Sequence, residues 1–219
     1  MLEVRGLAKS YALRRHWYVR KEERLIFENI NFSLNLGENL LIIGESGRGK
    51  STLARILCGL QRPSSGEVLY EGENIHTARN FGRFKQNIQY VFQNQKLALN
   101  PYKSIDTLIY GVFSNFKMKK DRSWVEKMLG NFALKESILT LKPAQLSGGE
   151  ASRVGILRAL IPSPKILILD EPTSALDILN SMRIIDFLKA YQKENSIAYI
   201  FITHQEEFFK DLAHSIFKI

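Results

Sequence analysis

The sequence holds one cysteine, Cys58, in 219 residues. No disulfide can close within a single chain, and a reducing compartment is expected. No apolar run approaches the roughly 20 residues that cross a bilayer as a helix. The opening residues lack the charged-then-apolar order of a secretion signal. Any role at a membrane is therefore expected to come through partner chains. Internal repeats, heptads, low-complexity tracts and long linkers are missing, which argues against repeat arrays and coiled-coil insertions. His and Cys do not cluster, so nothing suggests a cage of protein ligands around a metal. Acidic residues are the scarcer sign, 22 Asp and Glu against 31 Lys and Arg, for a net charge of +9. The positive charges are scattered, with loose groups at Arg14, Arg15, Arg20, Lys21, Arg24 and at Lys117, Lys119, Lys120, Arg122. They read as a solvated basic surface, with work beside an anionic membrane face as the second reading. Trp17 and Tyr18 interleave the first group. One short stretch of that kind is weak ground for single-strand binding, and no nucleic-acid partner is expected.

What is there alternates between strand and helix patterns. Leu2 to Ala8 reads as an edge strand, Arg14 to Arg24 as a surface excursion, and Leu25 to Leu36 as a strand pair or one long strand. Leu40 to Ile43 is a buried apolar strand, and Thr52 to Leu60 a helix closed by Gly59. Glu67 to Tyr70 and Ile88 to Phe92 are further strands. From Asn94 to about Gly155 the β pattern lapses. There Asp121 is placed to cap a helix whose Trp124, Val125, Met128, Leu129 and Phe132 form a core stripe. The β pattern returns with Ile166 to Leu169, then a helix with Ile178, Met182, Ile185, Leu188 and Tyr191 on one face, then the strand Ala198 to Thr203. Strands alternating with helices predict an α/β fold with a mostly parallel sheet covered on both faces. The reading is a core of 1–93 and 156–219, with an antiparallel β edge and an inserted α-helical subdomain at 94–155.

The chemistry gathers at Gly44-Glu45-Ser46-Gly47-Arg48-Gly49-Lys50-Ser51, followed by Thr52. A Gly-rich loop between a buried strand and a helix is the context in which G-x-x-x-x-G-K-[ST] wraps a phosphate chain. The glycines let backbone N–H groups approach the anion, and the helix start aims its dipole there. Lys50 supplies a mobile cation for the β- and γ-phosphates of a nucleotide, and Ser51 a hydroxyl for Mg²⁺. A second strand ends in Asp170-Glu171. Asp170 suits the Mg²⁺, and Glu171 stands where it could polarise an attacking water. His204 ends a third strand, where an imidazole can donate to phosphate.

With those residues in place, the chain resembles the ATP-binding cassette (ABC) ATPases over nearly its whole length. Gly44 to Ser51 is similar to the Walker A loop, Gln93 to the Q-loop glutamine, and Leu146-Ser147-Gly148-Gly149-Glu150 to the ABC signature. Ile166 to Asp170 is similar to Walker B with Glu171 as the catalytic glutamate, Ser174-Ala175-Leu176-Asp177 to the D-loop, and His204 to the switch histidine. Tyr11 resembles the aromatic that stacks on adenine. The resemblance implies that Gln93 assists catalysis and the metal, and that Asp177 borders the nucleotide. It also implies a head-to-tail dimer in which each ATP lies between one Walker A and the opposite signature. Ser147 could cap the signature helix, whose dipole would then face the partner's γ-phosphate. Two departures stand out. Glu150 replaces the usual glutamine and is expected to point away from the ligand, and Ser152 replaces a glutamine. The sequence ends soon after the His204 strand, which sets the expectation of no regulatory tail and leaves the sheet edge open.

Val91-Phe92-Gln93-Asn94-Gln95 followed by Leu99-Asn100-Pro101 resembles the dipeptide, oligopeptide and nickel importer group. That resemblance implies a second ATPase subunit, two membrane permease subunits and an extracytoplasmic substrate-binding protein. It places this chain peripherally at the cytoplasmic face of the cell membrane. The rivals are a lipoprotein-release or export-type ATPase, against which Leu99-Asn100-Pro101 argues, and a soluble ABC ATPase of translation or DNA repair.

Overall fold

The computed structural model describes residues 1–13, 22–77 and 81–219. The basic stretch with Trp17 and Tyr18 therefore lies outside the described residues, apart from Arg24 and its two neighbours. In chain order the elements are β1 (Leu2–Leu13), β2 (Glu22–Leu34), β3 (Asn39–Ile43), α1 (Lys50–Leu57), β4 (Ser65–Tyr70) and β5 (Glu73–Asn74). Next come α2 (Phe81–Asn87), β6 (Ile88–Val91), α3 (Gln95–Ala98), α4 (Ile105–Asn115), α5 (Arg122–Asn131) and α6 (Gly148–Leu160). The chain then forms β7 (Ile166–Asp170), α7 (Ile178–Asn195), β8 (Ala198–Ile202), α8 (Glu206–Phe209) and β9 (Ser215–Lys218). Short 3₁₀ turns cover Glu136–Thr140, Pro143–Gln145 and Lys210–Leu212.

The strands make two sheets. One is antiparallel with order β2-β1-β4-β5; the other is parallel with order β6-β7-β8-β3-β9. Strands β3, β7 and β8 are buried at every position, as continuous apolar runs in a parallel sheet must be. Their two faces feed two cores by simple alternation. Leu40, Ile42, Ile166, Ile168, Ile200 and Ile202 pack with α1 through Leu53, Ile56 and Leu57. Leu41, Ile43, Leu167, Leu169, Tyr199 and Phe201 pack with residues of α4, α5, α6 and α7. The helical stretch after residue 94 thus shares one core with the parallel sheet, and α6 runs through position 155 to Leu160 without a break.

Two sequence readings are corrected and one strand is added. β1 is not an edge strand; it lies between β2 and β4. Leu2, Val4 and Leu7 are buried, while Glu3 and Arg5 pair on the solvent side, and those charges suggested an edge. The inner face of α7 is Ser181, Ile184, Ile185 and Leu188, whereas Ile178 and Met182 are 66% and 51% exposed. Ser181 belongs to the buried stripe because its hydroxyl donates to the Asp177 carbonyl at 2.9 Å; a count of apolar residues passes over it. β9 was not anticipated. It pairs in parallel with β3 beyond the His204 strand.

Candidate active site

The α1 face of the parallel sheet positions the first half of the site. The chain leaves β3, turns through the Gly-rich loop and enters α1 at Lys50. Gly47 and Gly49 take φ of 81° and 97°, the left-handed region that a side chain disfavours. A Cβ on Gly49 would also meet the Ile26 side chain at 2.3 Å. The glycine therefore lets the loop lie against β2. Lys50 is almost fully buried. Its ammonium donates to the carbonyls of Gly44 at 2.7 Å and Glu45 at 2.9 Å, so the loop itself fixes the cation at its centre. Glu45 and Arg48 pair with each other at the surface, 3.2 Å apart.

The ends of β7 and β8 supply the second half. Asp170 is 2% exposed, and its Oδ2 accepts from the Tyr90 hydroxyl at 2.7 Å. Burial first, then the neighbouring Asp170 charge, raise the Tyr90 phenol well above its ordinary value, so it acts as a donor. Glu171 adopts φ of 50°, uncommon for a side-chain-bearing residue and frequent at functional turns. Its N–H still donates to the Ile202 carbonyl at 2.8 Å. Its carboxylate is gripped three ways: His204 Nδ1 lies 2.8 Å from Oε1, the His204 N–H donates to Oε1 at 3.2 Å, and the Thr203 hydroxyl donates to Oε2 at 3.2 Å. Thr203 is fully buried and accepts from the Gln205 N–H at 2.9 Å, while Thr173 donates to the Gln205 side chain at 2.9 Å.

These halves meet in one cleft of about 590 Å³. Ser46, Gly47, Gly49, Lys50, Ser51 and Thr52 line one wall, and Gln93, Asp170, Glu171 and His204 the other. The donors suit a Mg²⁺ ion. Ser51 offers a hydroxyl, Asp170 a carboxylate and Gln93 an amide oxygen, all hard ligands. Among the described residues no group of three His, Cys, Asp or Glu could hold a metal. A small set of protein oxygens fits an ion that takes its remaining ligands from water and phosphate.

Other expected site residues stand elsewhere. Tyr11 does not line the cleft; it accepts from Gln61 Nε2 at 2.6 Å, and Lys9 sits 5.1 Å from its ring centre. That bond lowers its phenol below the ordinary value. Ser147 caps α6, and Glu150 completes the box: Glu150 N–H donates to Ser147 Oγ at 3.1 Å, and Ser147 N–H to Glu150 Oε2 at 2.8 Å. Glu150 thus turns back on its own helix end, and those bonds hold its carboxyl below the usual range. Gly148 and Gly149 pack on the 174–177 loop; a Cβ on Gly149 would meet Leu176 at 2.8 Å. Asp177 caps α7, accepting from Asn180 N at 2.8 Å and Nδ2 at 2.6 Å. Neither the signature residues nor Asp177 line the cleft of their own chain. Sequence reasoning missed Tyr90, Thr203 and Gln205. Only the register of β6 on β7 brings Tyr90 to Asp170, and no local motif marks it.

The family profile described as ABC transporter matches residues 27–174. The chain belongs to the ABC transporter family. It is 35% identical over 211 residues to the oligopeptide transport ATP-binding protein AppF of Bacillus subtilis (strain 168), covering 93% of this chain and 64% of that protein. It is 36% identical over 209 residues to the nickel import ATP-binding protein NikE of Shigella boydii serotype 4 (strain Sb227), covering 93% and 78%. The chain thus spans slightly less than two thirds of the AppF-type relative. Among solved structures it superposes on the dimeric, post-hydrolysis state of the ATP-binding cassette MJ0796 bound to ADP and Pi. The TM-score there is 0.88 at 26% identity, covering 100% of this chain and 94% of that one. A bacterial Atm1-family ABC exporter with ATP bound gives 0.81 at 25% identity, covering 100% and 37%.

Proposed function

We propose that this chain is the ATP-hydrolysing subunit of an ABC importer for peptides or nickel. The observation that carries the ATPase reading is the convergence of Lys50, Ser51, Asp170, Glu171 and His204 on one cleft. In this reading Lys50 and the N–H groups of the loop bind the phosphates of ATP, and Ser51, Asp170 and Gln93 hold Mg²⁺. Held there, the ion would supply positive charge to neutralise the phosphates. Glu171, oriented by His204 and Thr203, accepts the proton of the attacking water, and His204 presents its imidazole to the γ-phosphate side. Tyr11 takes the adenine end. The signature residues Ser147, Gly148 and Gly149, with Asp177, face the ATP of a second ATPase subunit packed head to tail. Their position outside this chain's own cleft supports that placement.

The transport reading rests on likeness to AppF and NikE. Among the described residues no helix is long and apolar enough to cross a membrane, which supports two separate permease subunits as the channel. An extracytoplasmic binding protein delivers the substrate, and this chain works peripherally at the cytoplasmic face. Leu97 and Tyr102 are 83% and 87% exposed, and Leu97 lines a recess together with Gln93; such exposed apolar side chains suit a membrane subunit's cytoplasmic helix. Leu99 is buried and serves the core, so Leu97 and Tyr102 are the positions to substitute. The direct test of the site is Glu171→Gln. It is expected to bind Mg-ATP with near-normal affinity and to hydrolyse it at least tenfold more slowly. Wild-type turnover in that variant would move the base to another residue.

A further inference from the structure

We infer that Tyr90 is a positioning residue for the divalent cation, acting through Asp170; the inference rests on the nucleotide-site reading above. Tyr90 and Ile168 are register partners on neighbouring parallel strands, and Asp170 lies two residues beyond Ile168 on the same face. That diagonal is within reach of an aromatic side chain. The hydroxyl closes it with a 2.7 Å bond to Asp170 Oδ2. Among the described residues no second side chain bonds this carboxylate, so Tyr90 alone among the side chains sets its rotation. The phenol is itself braced. Its ring packs 4.4 Å from that of Phe92, whose carbonyl accepts from Gln95 Nε2 at 2.8 Å. With Oδ2 committed to Tyr90, the other oxygen is left for a metal or its water. Ser51, Gln93, Tyr90 and Asp170 line a common recess of about 370 Å³ that adjoins the cleft.

Groups that orient a ligating carboxylate typically change metal affinity about 10–100-fold when removed. The test is Tyr90→Phe in the full chain, which keeps the ring against Phe92 and deletes only the donor. Mn²⁺ binding in the presence of a non-hydrolysable ATP analogue is followed by the loss of the free-ion electron paramagnetic resonance signal. Binding of the same analogue without metal is measured in parallel and doubles as a fold check. The expected result is Mn²⁺ affinity about tenfold weaker, with metal-free analogue affinity within about twofold of wild type. Correspondingly, the Mg²⁺ concentration for half-maximal ATPase rises, while turnover at saturating Mg²⁺ is largely kept. Unchanged Mn²⁺ affinity overturns the inference, as does an equal fall in both affinities, which would mark a packing role. Wild-type protein that binds the analogue neither with nor without Mn²⁺ would instead overturn the nucleotide-site reading, and the inference with it.

Discussion

Lys50 shows how much of the site is built before any ligand arrives. An ammonium has three donors, and two are spent on the carbonyls of Gly44 and Glu45. The loop thereby holds its own cation in a ring of backbone. Charge-assisted bonds of this kind contribute about 1.5–3 kcal/mol, so Lys50→Ala should weaken ATP binding by roughly ten- to a hundredfold. Equilibrium nucleotide binding checks this, and an unchanged ATPase rate in the variant would remove Lys50 from the site. Thr203 poses the complementary question on the other wall. Thr203→Val keeps the volume but deletes the hydroxyl that grips Glu171 and receives Gln205. Turnover should fall several-fold with nucleotide affinity retained, and His204→Ala should fall further because it removes two roles at once. Equal rates in Thr203→Val and wild type would make the threonine a core residue only. The lone cysteine has no such part. Burial pushes the Cys58 thiol up to about 11, which leaves it protonated near neutral pH.

Among the elements, α6 carries the clearest consequence. Its capping box pairs Ser147 with Glu150, so the acid that departs from the family pattern does the local work a glutamine would do. Ser147→Ala should cost about 1 kcal/mol, or roughly 2–4 °C in melting temperature for a domain of this size. The carboxyl of Glu150 is held low in the folded state, first by the Ser147 backbone bond and then by its side chain. Its stabilisation is therefore full above the ordinary glutamate value of about 4.3 and is lost as pH falls through the lower folded value. The gap in denaturant midpoint between wild type and Glu150→Gln should be constant from pH 7 to about pH 5 and close only in more acidic solution. A gap that closes near neutrality would contradict the assignment. The same helix shows what a sequence can and cannot disclose. Ser147-Gly148-Gly149 was legible as a helix start because capping chemistry is local. The packing of Gly149 on Leu176 was not, since it depends on where the 174–177 loop lies. The loop at Gly44–Ser51 and the strand ends at Asp170 and His204 were legible for the same local reason. Tyr90, Thr203, β9 and the true face of α7 were not. Each is decided by strand register or by a polar residue sitting in a buried stripe.

For the whole molecule, the proposed function has one chain present half of each composite site. Its cleft carries the phosphate loop and the Glu171–His204 pair, while its signature helix is capped and turned elsewhere. Isolated protein should accordingly be mostly monomeric with low ATPase activity, and Glu171→Gln with ATP should accumulate a closed dimer only when its cognate second subunit is added. Light scattering of each mixture separates these outcomes; a Glu171→Gln homodimer as stable as the mixed one would favour a single kind of ATPase subunit. The measurement that bears most directly on the central claim is uptake of peptide or nickel into proteoliposomes holding the two permease subunits. The binding protein is supplied on one side, both ATPase subunits and Mg-ATP on the other, and each component is omitted in turn. The account predicts ATP-driven uptake that stops when this chain is left out or carries Glu171→Gln. Uptake that persists without this chain would contradict it.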